Sequence, residues 1–71
     1  MSITRTPVQS SSIASIGYSP DSTLEIEFHR GTVYRYFAVP QCVYDALWRA
    51  ESMGAYFNRS VKPHFRYTRV M

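Results

Sequence analysis

A strict alternation of apolar and polar residues between Thr23 and His29 constrains the fold of this chain more than any other feature. Leu24, Ile26 and Phe28 occupy every second position, and polar or charged side chains separate them. Successive side chains of a β-strand point to opposite faces of a sheet, so this period of two predicts a strand with one buried face. The intervening glutamates fall on the other face, where we expect solvated side chains.

A second β-rich run, residues 32–37, follows directly after Arg30 and Gly31. Two such runs around a glycine-containing turn predict a β-hairpin. The type of turn then decides which face Tyr34 and Tyr36 occupy, because a shift of register by one residue moves every side chain to the opposite face.

Two turns are compatible with this hairpin. A two-residue turn pairs Phe28 with Val33 and places both tyrosines on the outer face, beside the glutamates. A type I turn followed by a glycine bulge pairs Phe28 with Thr32 and places the tyrosines in the core. The two-residue type I′ turn requires a positive φ at Arg30, which residues other than Gly, Asn and Asp resist, so the sequence favours the bulge.

The remaining segments predict one strand before the hairpin, and two helices and one strand after it. Pro40 is a favoured first-turn residue of a helix, and Ser52 is a suitable N-cap for a second helix that ends before Pro63. The predicted fold class is α+β, a small antiparallel β-sheet in the order β-β-β-α-α-β with two helices packed on one face. The predicted strands are residues 13–18, 23–29, 32–37 and 65–70, and the predicted buried helix residues are Val43, Ala46, Leu47, Ala50, Tyr56, Phe57 and Val61.

At 71 residues the chain has room for one domain. Its beginning is polar and lacks periodicity, so we expect residues 1–7 to be a flexible N-terminal arm and residues 8–71 to form the domain. The single cysteine, Cys42, permits no internal disulfide and suits a reducing compartment. No run of about 18 apolar residues is present, so we expect no membrane association and a cytoplasmic location.

The sequence contains no recognisable catalytic or metal-binding motif. His29 and His64 stand outside any Ser/His or Cys/His motif, and one cysteine with two distant histidines cannot supply the roughly four ligands of a zinc site. The three glycines are scattered, so a glycine-rich phosphate loop is absent from the sequence. We therefore expect a protein that is not an enzyme and that uses no metal and no cofactor.

Positive charge is concentrated in the last part of the chain. Residues 52–71 contain four cationic side chains and no acidic one, with aromatic residues between them. Arginine binds phosphate through paired hydrogen bonds and tyrosine stacks on unpaired bases, so this composition favours an anionic partner such as a nucleic acid. A solvated basic face is the alternative. The candidate nucleic-acid-binding residues are Arg35, Arg59, Lys62, Arg66, Tyr67 and Arg69.

A series of short motifs resembles the KTSC domain, a module named for its occurrence at the C-terminus of some lysyl-tRNA synthetases and also found in free-standing bacterial proteins. The resemblance covers about residues 8–70, and the central Tyr-x-Tyr with a flanking glycine and Val-Pro makes it specific. The motifs are Val8-x-Ser10-Ser11-x-Ile13, Ile16-Gly17-Tyr18, Leu24-x-Ile26-x-Phe28-x-x-Gly31, Tyr34-x-Tyr36, Val39-Pro40, Ala50-x-Ser52-x-Gly54-x-Tyr56-Phe57-Asn58 and Val61-Lys62.

The resemblance implies no enzyme, and RNA binding is the function suggested for such domains. The chain departs from the family at Ser12 and Arg30, where Asn is common, and Asn in the turn would favour the two-residue form. The matching serines and Gly54 also have a structural interpretation, in which Ser52 caps a helix, Ser10 and Ser11 form hydrogen bonds to the backbone, and Gly54 permits close packing. In the functional interpretation, Ser10, Ser11, Ser52 and Asn58 form a polar cluster beside the basic segment. The family-motif positions that match are Ser10, Ser11, Tyr34, Tyr36, Ser52, Gly54 and Asn58.

Two functions therefore compete at the level of sequence. The first is a binding domain for RNA, either tRNA or single-stranded RNA, that uses the basic and aromatic residues of the C-terminal segment. The second is a protein-interaction module or homodimer in which the last strand pairs with another chain at an exposed sheet edge.

Overall fold

The structure is a computed structural model, and it describes residues 3–71. Within these residues the chain forms five strands, two α-helices and one π-helical segment. In chain order they are β1 (Thr6–Pro7), β2 (Ile13–Tyr18), β3 (Leu24–Phe28), β4 (Val33–Tyr36), α1 (Gln41–Arg49), α2 (Met53–Tyr56), the π-helical segment (Phe57–Val61) and β5 (Tyr67–Arg69).

The alternating segment forms β3, which lies at the centre of one antiparallel sheet with strand order β1-β2-β3-β4-β5. The predicted α+β class is confirmed, and the predicted element order is correct apart from one added strand. That strand is β1, in which Thr6 pairs with Ile16 and Pro7 with Ser15. Residues 1 and 2 of the predicted N-terminal arm lie outside the described residues, and the flexibility of the arm stays a prediction.

The core lies between one face of the sheet and the helices. Leu24 and Ile26 of β3 are fully buried, and so are Leu47 of α1 and Val61 of the π-helical segment. These side chains belong to one hydrophobic cluster, which places both helical regions on the same face of the sheet. Of the apolar positions predicted to be buried in the first helix, only Leu47 is fully covered, because α1 is short and contacts the sheet along a narrow line.

The β3–β4 hairpin has the bulged turn. The Phe28 amide donates to the Thr32 carbonyl at 2.9 Å, and the Gly31 amide donates to the Phe28 carbonyl at 2.8 Å. Gly31 has φ +95°, a conformation that glycine adopts without strain, so Arg30 does not need a positive φ. The tyrosines of β4 therefore lie on the same face as the apolar residues of β3, with Leu24 opposite Tyr36 and Ile26 opposite Tyr34.

The opposite face of the sheet carries an ion-pair network, which corrects the expectation of solvated glutamates. Glu25 is only 2% exposed and forms ion pairs with Arg5 and Arg35, the latter at 2.7 Å. Glu27 is half-buried and accepts a hydrogen bond from the Ser15 hydroxyl at 2.7 Å. The N-terminal segment supplies Arg5 to this network, so the chain before β1 covers Glu25 from solvent.

Gly17 of β2 lets the N-terminal segment approach this face closely. A Cβ atom at this position would overlap the Thr4 carbonyl oxygen and the Ile3 side chain. The glycine in the Ile16-Gly17-Tyr18 motif thus has a packing role. No helix within residues 3–71 is long and apolar enough to cross a membrane.

Candidate functional site

Three tyrosines meet on the core-facing side of β4 and β5. Tyr34 and Tyr36 are two residues apart on β4, and Tyr67 lies opposite Tyr36 on β5. The ring centroid of Tyr67 is 5.5 Å from that of Tyr34 and 5.4 Å from that of Tyr36. These separations are those of favourable aromatic pairs, so the three rings form one packed cluster.

Two phenylalanines extend this cluster towards the helices. Phe57, at the start of the π-helical segment, lies 5.3 Å from Tyr36 and 5.5 Å from Phe28 between ring centroids. Phe57 is buried, whereas Tyr67 is 58% exposed at the edge of the sheet. The helices thus cover one end of the aromatic cluster and leave the β5 end open to solvent.

The opening is a groove made of two adjoining cavities. The inner cavity has a volume of about 130 Å³, and the outer cavity has a volume of about 220 Å³. They share the lining residues Phe28, Tyr34 and Lys62, so they adjoin each other. We call them together the tyrosine groove. Its inner lining is Phe28, Tyr34, Tyr36, Phe57, Asn58, Lys62 and Tyr67, and its outer lining adds Arg30 and Thr32.

The groove is positively charged. Lys62 borders both cavities, Arg30 borders the outer one, and none of the acidic residues in the described part of the chain lines either of them. Arg69 lies opposite Tyr34 across the β4–β5 pair, and its Nε donates to the Met71 carbonyl at 3.2 Å. Cations beside an aromatic surface attract anionic ligands.

Tyr36 is the most enclosed of the three tyrosines. Burial raises the pKa of its hydroxyl to about 12, and the neighbouring Tyr67 and Tyr34 contribute further to the increase. The Tyr36 hydroxyl makes no hydrogen bond to another described residue. Every fully buried side-chain polar atom among residues 3–71 has a hydrogen-bond partner, so the Tyr36 hydroxyl is not fully buried. The hydroxyl is therefore open to the groove, where it is protonated at neutral pH and can donate a hydrogen bond.

The raised pKa of Tyr36 predicts a loss of stability in strongly alkaline solution. An unfolded tyrosine, with its pKa near 10, loses its proton before the folded one does, so deprotonation favours unfolding. The free energy of unfolding is expected to be insensitive to this group below about pH 10 and to fall as the pH rises towards about 12. Urea titrations across this range measure the effect. Tyr36→Phe is the control, and an unchanged pH profile in this variant would show that Tyr36 does not cause the loss.

The structure brings only part of the predicted nucleic-acid-binding set together. Lys62 and Tyr67 line the inner cavity, and Arg69 lies opposite the cavity residue Tyr34 on β5. Arg66 precedes β5 as an exposed side chain, and its carbonyl accepts a hydrogen bond from the Phe37 amide.

The other two candidates lie elsewhere on the molecule. The guanidinium of Arg59 lies 5.8 Å from the ring centroid of Tyr56 and lines a separate depression between α1 and α2. Arg35 lies on the opposite face of the sheet, where it is bound to Glu25. The depression between α1 and α2 that Arg59 lines is also lined by Asp45 and Glu51, so its charge is mixed and it is a weaker candidate for an anion site.

The family-motif residues separate into structural positions and groove positions. Ser10 accepts hydrogen bonds from the Ser12 and Ile13 amides at 3.3 Å, and Ser52 caps α2 by accepting from the Ala55 amide at 3.2 Å. Gly54 has no room for a Cβ atom because the Ser12 hydroxyl lies against it. Ser11 is exposed. The three remaining positions, Tyr34, Tyr36 and Asn58, line the inner cavity, so the four polar residues do not share it.

Sequence reasoning did not identify Phe28, Arg30 and Phe57 as groove residues. The first two flank or occupy the bulged turn, and their position in the groove depends on the register that the bulge sets. Phe57 is a buried residue of the hydrophobic core, and its sequence pattern predicted only that role. The available signal was the Tyr-x-Tyr repeat on a strand whose neighbour carries Phe28 on the same face.

Comparison with known proteins identifies several similar chains. The family model of the KTSC domain matches residues 9–65. An uncharacterised protein of Stutzerimonas stutzeri (strain A1501) is 50% identical over 68 residues, which make up 93% of this chain and 96% of that protein. A lysine–tRNA ligase of Nostoc sp. (strain PCC 7120) is 40% identical over 60 residues, which make up 83% of this chain and 11% of the ligase. The crystal structure of a KTSC domain protein from Yersinia pestis matches with a TM-score of 0.90 and 36% identity, covering 99% of this chain and 100% of that one.

Proposed function

This chain belongs to the KTSC domain family, and we propose that it is a non-enzymatic domain that binds single-stranded RNA through the tyrosine groove. The observation that carries the proposal is the combination of a partly exposed aromatic surface and cationic side chains in one groove, which no acidic residue among residues 3–71 lines. The aromatic side chains suit the base of a nucleotide, and the cationic side chains suit its phosphate. Aromatic rings stack on bases, and cations bind phosphates.

The shape of the site favours unpaired nucleotides over a duplex. Tyr34 and Tyr36 line a concave site, so we expect a base to contact their rings when it is turned away from a partner strand. Bases in a helix are stacked and paired, so double-stranded nucleic acids are bound mainly through phosphates and groove shape. Phosphate contacts alone would leave the aromatic part of this groove unused.

The relationship to a lysine–tRNA ligase makes tRNA a suitable first RNA to test. The shared segment is a small part of that ligase, so the proposal concerns binding by the domain and not the activity of the enzyme. The single-stranded parts of a tRNA, its loops and its acceptor end, expose the unpaired bases that the groove would accept.

The proposal is tested by the affinity of the purified protein for single-stranded RNA, tRNA and duplex DNA at several salt concentrations. We expect micromolar binding to the first two ligands and weaker binding to the duplex. If Arg30, Lys62 and Arg69 each neutralise one phosphate, log K should fall with log salt with a slope of roughly −2, from about −0.7 for each single-stranded phosphate contact. An absence of binding at low salt would rule the proposal out.

The β5 edge supports a second candidate function, a protein interface. β5 is an edge strand of three exposed residues, and Val70 and Met71 after it are 44% and 73% exposed. Its short length, its own Arg69 and the preceding Arg66 are features that oppose edge-to-edge pairing, so we favour the RNA function. Light scattering over a dilution series separates the two, because pairing of copies at this edge would give a mass that rises with concentration.

A further inference from the structure

The inner cavity has room for one six-membered ring. Its volume is about 130 Å³, and a protein cavity of about 150 Å³ is known to hold one benzene molecule. A pyrimidine has one such ring, whereas a purine has two fused rings and needs more space. The second ring of a purine would have to lie in the adjoining outer cavity, which then could not hold the sugar and phosphate, so the size of the inner cavity favours a pyrimidine.

The lining of the inner cavity suits a flat ring with a polar edge. Five aromatic side chains supply most of the lining, and Asn58 and Lys62 supply polar groups from the π-helical segment and the turn after it. The amide of Asn58 carries both a donor and an acceptor, and within residues 3–71 its side chain has no hydrogen-bond partner. The Tyr36 hydroxyl adds a second group that can donate or accept.

The outer cavity suits the part of a nucleotide that follows the base. It adjoins the inner cavity through shared residues, which include Lys62, and its lining adds Arg30 and Thr32. Its larger volume and its two cations fit a ribose with its phosphate. The aromatic inner cavity and the cationic outer cavity are therefore arranged side by side, as are the base and the sugar-phosphate of a nucleotide.

We infer that the tyrosine groove binds one unpaired pyrimidine nucleotide, with the base in the inner cavity against Asn58 and Tyr36, and with the sugar and phosphate in the outer cavity. This inference rests on the proposed RNA-binding function and adds a base preference to it. The aromatic rings hold any single ring of this size, and the Asn58 amide and the Tyr36 hydroxyl contact the polar edge of the base.

The inference is tested with RNA oligomers of equal length made only of U, only of C or only of A. We expect the U and C oligomers to bind about 10-fold more tightly than the A oligomer. Asn58→Ala and Tyr36→Phe should each weaken binding of U and C about 5-fold and leave the affinity for A unchanged. Tyr36→Phe keeps the buried ring and removes only the hydroxyl, so the fold is retained, and circular dichroism confirms this for both variants. Tyr44→Phe, which removes a hydroxyl on α1 outside the groove, is the matched control and should bind like the unmodified protein.

The outcomes separate this inference from the function on which it rests. Equal affinity for the three oligomers would overturn the pyrimidine preference and leave RNA binding intact. A preference that both variants retain would overturn the assignment of Asn58 and Tyr36. No binding to any oligomer would overturn the proposed function itself. An added titration with uridine monophosphate should shift the side-chain amide NMR signal of Asn58, and an unmoved signal would count against base contact at that residue.

Discussion

Replacing Lys62 with glutamate should lower the affinity for single-stranded RNA about 100-fold. Lys62 borders both cavities of the tyrosine groove. The change removes a charged contact to phosphate, worth about 1.5–3 kcal/mol, and adds a repulsive charge at the same place. Since about 1.4 kcal/mol corresponds to a tenfold change in affinity, a combined loss of about 3 kcal/mol gives this factor. Fluorescence anisotropy with a labelled oligomer measures it.

Arg59→Glu is the matched control for this charge reversal. It makes the same change in net charge in the same basic segment, but Arg59 lies over Tyr56 and lines the depression between α1 and α2. We expect it to reduce the affinity only severalfold, through the change in overall charge. In Lys62→Glu the slope of log K against log salt should also decrease by the amount that corresponds to roughly one phosphate contact. If the two variants weaken binding equally, the groove is not the binding site and the C-terminal segment acts only through its total charge.

The fold could be predicted largely from local sequence patterns. The alternation in β3, the turn glycine and the helix-start residues Pro40 and Ser52 are signals that operate within a few residues. The bulged turn was favoured for a local reason, the cost of a positive φ at Arg30, and the structure has that turn. β1 could not be predicted in this way, because a two-residue strand has no periodicity and forms only through its pairing with β2.

The candidate site was only partly predictable because it depends on contacts between distant segments. Lys62 and Tyr67 were identified from charge and aromatic content, and Tyr34, Tyr36 and Asn58 from the family motifs. Nothing in the sequence shows that these residues line one cavity, since that follows from the packing of the π-helical segment beside β4 and β5. In the same way, Arg35 has the charge expected of a phosphate ligand, but strand alternation places it on the face of Glu25.

Glu25→Gln is expected to lower the free energy of unfolding by about 2 kcal/mol. The carboxylate is almost fully buried and binds the guanidinium groups of Arg5 and Arg35. Loss of one partner from a buried ion pair costs about 3–5 kcal/mol, but both arginines here are partly exposed and regain some hydration, so we expect a smaller loss. A chain of this length is stable by only about 4–10 kcal/mol, so the effect is a large share of the total. Urea denaturation followed by circular dichroism measures it.

Glu27→Gln is the control because it makes the same chemical change two residues away on the same face. Glu27 is about one-third exposed, and its Oε1 lies 3.9 Å from Arg5 Nε, so its ion pair is screened by water and we expect a loss below about 1 kcal/mol. If Glu25→Gln proves no more destabilising than Glu27→Gln, the attraction to the two arginines only balances the cost of burying the carboxylate. In the folded state both variants should bind RNA like the unmodified protein, since neither glutamate borders the tyrosine groove. The network on one face of the sheet would then contribute to stability, while the tyrosines on the other face contribute to binding.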